Sequence, residues 1–140
     1  MSQPIAPIKA SSHRALNIVV WSAQALLFAC FVWAAWMKIT TPIPQLAAMW
    51  SWTGDLPSPL VRILGVVDLA GGLGVLLPSL TRIRPSLTVL AAAGCILLQV
   101  CAMIFHIARG EISVTPVNGV FLSLAVLVFW GRRKIPIASR

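Results

Sequence analysis

The polar side chains that could carry chemistry in this sequence are few, and they lie at or near the ends of long apolar stretches. Five of them fall in the same half of the predicted structure and form a candidate binding cluster: Lys38, Arg62, Asp68, His106 and Asn118. A carboxylate close to cations and an imidazole can line a polar pocket for a ligand. It can equally neutralise those cations and join the helices that carry them. Both interpretations stay open from the residues alone.

Asp68 is the member of this cluster that most requires a partner. A carboxylate at bilayer depth costs about 3 kcal/mol unless it meets a cation, a hydrogen-bond donor or water. Arg62 lies on a different face of the same helix, whereas the flexible stem of Lys38 can reach along the first helix towards the carboxylate. We therefore predict that Lys38 pairs with Asp68, with His106 as the next candidate.

Cysteine and histidine form no recognisable redox or metal centre in this sequence. The three cysteines lie inside apolar segments without a CxxC pair: Cys30, Cys95 and Cys101. We interpret them as structural thiols. His13 lies in the N-terminal tail and His106 near a helix end, on opposite sides of the predicted membrane, so we expect no metal ion and no haem within one subunit.

The apolar run from Leu60 to Pro78 contains a carboxylate and several glycines, which a simple membrane anchor would not need. In a helix, Gly65, Asp68 and Gly72 share one face because they are three and seven residues apart. Small residues let a neighbouring helix approach closely. This face is therefore predicted to meet protein, and Asp68 to point into a bundle.

The composition is that of an integral membrane protein. Of 140 residues, 59% are hydrophobic and 10% are charged, so too little polar surface remains to cover a soluble domain. Four apolar segments are predicted to span the bilayer: Ala15 to Met37, Leu60 to Pro78, Leu87 to Ile107 and Val117 to Trp130. Gln45 to Thr53 is too short to span and predicts an interfacial segment. The expected fold is all-α, a four-helix transmembrane bundle with a short interfacial segment between helices 1 and 2.

Basic residues mark one side of this bundle. Eight of the eleven Lys and Arg residues lie in the two tails and the second connection: Lys9, Arg14, Arg82, Arg84, Arg132, Arg133, Lys134 and Arg140. The positive-inside rule then predicts a multi-pass protein of the cell membrane with both termini cytoplasmic. We expect a flexible cytoplasmic tail at 1–14, one membrane domain at 15–132 and a basic cytoplasmic tail at 133–140. These charges flank apolar segments and do not interleave with exposed aromatics, so a nucleic-acid partner is not expected.

Several short motifs resemble those of the DoxX-like family of small four-helix membrane proteins. They are Lys38 after the first span, RILGVVDLAGGLGVLLPSLT, LTVLAAAG, an FH pair at His106 followed by RGE, then Asn118 and a closing WGR. The resemblance runs from the first helix to Arg132. The family commonly has glutamate where this chain has Asp68, so the carboxylate sits on a shorter arm.

The resemblance implies several functions. Some relatives look like membrane subunits of thiosulfate:quinone oxidoreductase, some like partners of oxidative-stress enzymes, and distant ones like receptor-assembly chaperones. A shared fold does not select among these. We expect a small membrane protein without its own catalysis, a binding or assembly partner of other membrane proteins, with an outward-open polar pocket around Asp68 as one form of it. The alternative is a quinone-linked oxidoreductase subunit. No resident cofactor is predicted, with quinone left open. The expected partners are lipid, a membrane client or redox partner, and a second copy of the chain.

Overall fold

The computed structural model describes residues 8–140, and every regular element in that range is helical. The five α-helices are α1 (Ile8–Thr40), α2 (Ile43–Met49), α3 (Ser58–Thr81), α4 (Ser86–Ala108) and α5 (Thr115–Lys134). Short 3₁₀ turns at Ser51–Gly54 and Ile112–Val114 follow α2 and precede α5. Four of the helical segments are long and apolar enough to cross a membrane. The structure thus confirms the predicted four-helix membrane bundle, with α2 and the first 3₁₀ turn as the short segment between spans.

Prolines and the lack of breakers explain the helix bounds. Proline lies in the first turn of α2, α3 and α5, where its missing N–H costs no hydrogen bond. α1 begins at Ile8, ahead of the predicted Ala15, because no proline or glycine interrupts the sequence between them. The helix therefore begins before the apolar segment that was predicted to span the membrane, and the tail prediction for residues 1–7 lies outside the described residues.

The four long helices form a closed ring in which α1 packs against α3 and α5, and α4 packs against the same two helices. The centre of the ring is apolar and is made chiefly by Leu27, Phe31, Val75, Ala125 and Val128. Large apolar side chains on the outside of the helices are exposed, as expected for a surface that faces lipid. We call the end of the bundle that carries Arg82, Arg84, Arg132 and Arg133 the basic end.

The predicted protein-facing side of α3 is confirmed. Gly65, Asp68 and Gly72 are all buried on this helix. A methyl group at Gly65 would lie 2.9 Å from Lys38 Cβ and 3.3 Å from the Ala35 carbonyl oxygen on α1. The absence of a side chain at Gly65 therefore lets α1 and α3 approach at the level of Asp68.

This contact generates a stability prediction. Gly65→Ala should lower the melting temperature in detergent, because overpacking of a tight helix contact costs about 1–3 kcal/mol. Gly94→Ala is the matched control on α4, since a Cβ there meets no heavy atom within 4 Å. The control should be neutral or slightly stabilising. Equal melting temperatures for the two variants would contradict the packing described for Gly65.

Candidate functional site

The centre of the candidate site is an ion pair between α1 and α3. Lys38 Nζ lies 2.5 Å from Asp68 Oδ2, and Asp68 is only 6% exposed. The predicted pairing of Lys38 with Asp68 is confirmed. Because the pair is largely shielded from water, its attraction is strong, and removal of either partner would leave an uncompensated charge.

Two tryptophans cover this ion pair from the short segment between the first two spans. Lys38 Nζ lies 5.7 Å from the ring centroid of Trp50 and 5.6 Å from that of Trp52. Both distances are within the range of a cation–π interaction. Trp50 also makes an edge-to-face contact with Trp33 of α1, with centroids 5.7 Å apart. The interfacial segment therefore closes the end of the bundle above Lys38.

Arg62 lies beside the pair but contacts the backbone. Its Nη1 donates to the Lys38 carbonyl oxygen and, at 2.9 Å, to that of Thr41. The carbonyls at the end of a helix lack partners within the helix, and a cation stabilises the negative end of the helix dipole. Arg62 thus caps the C-terminus of α1 and holds the start of α3 against it.

His106 belongs to a second group of charges at the same end of the bundle. Its Nδ1 lies 2.7 Å from Glu111 Oε2. Arg109 Nη2 donates to Glu111 Oε1 at 3.0 Å and to Asp55 Oδ2 at 2.5 Å. The Arg109 hydrogen bond, followed by that of His106, lowers the pKa of Glu111, and the hydrogen bonds to Glu111 and Asp55 raise the pKa of Arg109.

The tryptophan segment connects the two groups. The rings of Trp52 and His106 make an edge-to-face contact with centroids 6.3 Å apart. The structure therefore brings Lys38, Arg62 and Asp68 together directly, and His106 through Trp52. The involvement of Trp52 and Glu111 was missed from the sequence, although the polar segment Arg109-Gly110-Glu111 after His106 was visible there.

Asn118 is separate from these contacts. It lies in the first turns of α5, and its buried Nδ2 has no hydrogen-bond partner in the described part of the chain. Among the described residues it forms no hydrogen bond with the other four members of the predicted cluster. The binding role proposed for the five residues stays a prediction.

A second polar network, at the basic end, was also missed. Arg132 of α5 is buried, and its Nε donates to Gln24 Oε1 at 2.7 Å while its Nη1 donates to Asn17 Oδ1 at 2.9 Å. Gln24 in turn donates to the Val75 carbonyl oxygen of α3 at 2.6 Å. Asn17 and Gln24 are seven residues apart on one face of α1, which is the signal that could have revealed the network.

None of the three cysteines forms a disulfide in the described range. Cys95 is buried, Cys30 is half-buried and Cys101 is exposed on the outside of α4, and all three are free. In residues 8–140, no three His, Cys, Asp or Glu side chains are grouped so that they could hold a metal ion.

The fold and its buried ion pair are those of a small helical-bundle membrane protein. Comparison with known families identifies the family to which it belongs. The chain matches the DoxX-like family over residues 22–128, which is most of its length, and it belongs to that family. The match covers α2, α3 and α4 in full, α1 from residue 22 onwards, and α5 up to its last turns. No curated protein and no solved structure matches the chain significantly.

A double-mutant cycle tests whether the Lys38–Asp68 pair stabilises the bundle. Asp68→Asn and Lys38→Met should each destabilise the protein, by about 3 kcal/mol if the remaining charge stays buried. The double variant should recover much of that loss, since it leaves no lone charge. Melting temperatures in detergent provide the measurement. Simple additivity of the two losses would mean that the groups do not stabilise one another.

The ion pairs of Glu111 predict how the stability of the folded protein changes in acid. Its pKa in the folded protein lies below the ordinary 4.5, so its contribution to stability is present above that pH and is lost as pH falls through the lowered pKa. Glu111→Gln should be less stable at neutral pH and should lose less stability on acidification. Tryptophan fluorescence during thermal unfolding, from neutral pH to about pH 3, measures both. The same acid dependence in both proteins would rule out this role for Glu111.

Proposed function

We propose that the protein is a non-catalytic partner of another membrane protein, and that it binds a transmembrane helix of that protein along the outer half of α5. The supporting observation is a difference between the two halves of this helix. No residue from Thr115 to Leu124 is buried, whereas Ala125, Val128, Gly131 and Arg132 in the second half are buried.

The other spans do not share this difference. Buried residues run from Val61 to Ser79 along α3 and from Thr88 to His106 along α4. α5 is also the least buried of the four membrane-spanning segments. Since the remaining helices cover one another over nearly their full length, the outer half of α5 is the part of the bundle with room for a further helix.

The chemistry of this surface fits a helix rather than a polar ligand. Pro116, Gly119, Ser123 and Leu127 are three or four residues apart and line a shallow groove along one side of α5. A side chain at Gly119 would meet no heavy atom within 4 Å. Small residues at four-residue spacing allow close helix packing in lipid, where dispersion contacts drive association. The Ser123 hydroxyl donates to the Gly119 carbonyl oxygen, so its polar atom adds no unsatisfied group.

The charged groups of the candidate site support a stabilising role beside this surface. Asp68 is paired with Lys38, and Glu111 is paired with Arg109 and His106. The Lys38–Asp68 pair joins α1 to α3, and the Arg109–Asp55 pair joins the end of α4 to the interfacial segment. A ligand in a pocket around Asp68 would have to displace the Trp50 and Trp52 contacts with Lys38.

We also propose that the basic end faces the cytoplasm. The loops at that end carry the larger number of Lys and Arg residues, and all three acidic side chains lie towards the opposite end of the bundle. Under the positive-inside rule this distribution orients both termini inward in the cell membrane. Activity of a cytoplasm-specific reporter fused after Arg140 is the expected result.

Photocrosslinking tests the partner surface. A photoreactive amino acid at Val120, in the groove, should yield a product with another membrane protein in intact membranes. The same amino acid at Leu97, exposed on α4, should react mainly with lipid. Gly119→Ile should remove the product by filling the groove, whereas Gly94→Ile, at an equally open glycine of α4, should retain it.

The identity of the crosslinked product determines the outcome. A product that contains a second copy of the chain would show that the surface forms a homo-oligomer and does not bind a different membrane protein. Reaction with lipid alone would overturn the proposed surface. The alternative function, a quinone-linked oxidoreductase subunit, is distinguished by gentle solubilisation: extracted quinone or a redox cofactor in the absorption spectrum would favour it over an assembly partner.

A further inference from the structure

A cleft of about 640 Å³ opens at the basic end, between the α3–α4 connection, the start of α4 and the end of α5. The residues after α5 form another wall, because the Arg140 N–H donates to the Arg82 carbonyl oxygen at 3.1 Å. The polar lining consists of three serines and four arginines: Ser79, Ser86, Ser139, Arg84, Arg132, Arg133 and Arg140. This cleft lies at the opposite end of the bundle from the Lys38–Asp68 pair.

The positive side chains around this cleft have no acidic side chain to balance them. Asp55, Asp68 and Glu111 are the only acidic residues of the sequence, and all three are bound to cations at the other end. In the described residues, none of the four cleft arginines forms an ion pair. Four guanidinium groups around one cleft repel one another, so an anion between them is strongly favoured.

Arg132 is the clearest case of uncompensated charge. It is only 3% exposed, and its guanidinium lies 4.7 Å from the ring centroid of Trp21. Its Nε and Nη1 are held by the neutral side chains of Gln24 and Asn17, while its buried Nη2 has no hydrogen-bond partner in the described part of the chain. A buried cation without an anionic partner is costly, and an unused donor adds to that cost.

From this geometry we propose that the cleft binds the phosphate group of an anionic ligand. Guanidinium groups match phosphate oxygens with paired hydrogen bonds, and the hydroxyls of Ser86 and Ser139 supply further donors. The cleft lies where the helices meet the membrane surface, and basic pockets at this level bind anionic lipid headgroups. A phospholipid headgroup and a soluble phosphate share this chemistry, and the experiment separates them. The inference is independent of the α5 partner surface.

The test compares two double variants that each remove two positive charges from the basic end. Arg84→Gln with Arg140→Gln changes the cleft lining, whereas Arg82→Gln with Lys134→Gln changes cations outside it. The pairs are well matched, because Arg82 and Arg84 both have a positive φ, of 61° and 47°. Affinity is measured by thermal shift of the detergent-solubilised full chain with added phosphatidylglycerol, phosphatidylcholine or sodium phosphate, at constant ionic strength.

Phosphatidylglycerol should raise the melting temperature of the unmodified chain and of the Arg82/Lys134 variant more than phosphatidylcholine does. The Arg84/Arg140 variant should bind about tenfold more weakly, as expected when charge-assisted hydrogen bonds are lost. A shift of the same pattern with sodium phosphate alone would support the site and assign it to a soluble phosphate compound. Equal losses in both double variants, or no shift with either probe, would overturn the proposal. If Arg84→Gln prevents folding, Arg140→Gln against Lys134→Gln provides the same comparison.

Discussion

The ion pair between Lys38 and Asp68 is the constraint from which much of the structure follows. A carboxylate within a membrane-spanning helix must be paired or hydrated, and here it is paired with Lys38 near the end of α1. The pairing requires α1 and α3 to lie close together at this level, which the missing side chain of Gly65 permits. Trp50 and Trp52, in the segment between the first two spans, lie over the lysine of this pair.

The two ends of the bundle handle charge in opposite ways. At the end with Trp50 and Trp52, each acidic side chain contacts a cation, and Arg62 caps α1. At the basic end the arginines are held by amides and aromatic rings, and Arg132 retains an unused donor. Acidic side chains neutralise cations at the first end, whereas the arginines of the basic end have only neutral partners, and it is there that we propose an anion binds. This asymmetry connects the proposed phosphate site to the proposed orientation in the membrane.

The sequence predicted the parts of the site that depend on a single helix or on the cost of burying charge. The small-residue face around Asp68 followed from helical periodicity, and its pairing with Lys38 followed from depth and reach. The contacts of Arg132 with Gln24 could not be predicted in the same way, because they depend on how α1 and α5 are rotated against each other. The position of Trp52 between Lys38 and His106 likewise depends on the path of a short segment that has no strong pattern of its own.

The Lys38–Asp68 ion pair also bears on how the lack of buried residues in the outer half of α5 is interpreted. The Lys38–Asp68 pair joins α1 to α3, and the Arg109–Asp55 pair joins the end of α4 to the interfacial segment. The exposed surface of α5 is therefore not the result of a loosely held bundle. The most direct test of this account is solid-state NMR in lipid bilayers, with ¹⁵N at Lys38 Nζ and ¹³C at the Asp68 carboxyl. A strong dipolar coupling between these two nuclei is predicted. Its absence, in a folded and fully helical sample, would contradict the account.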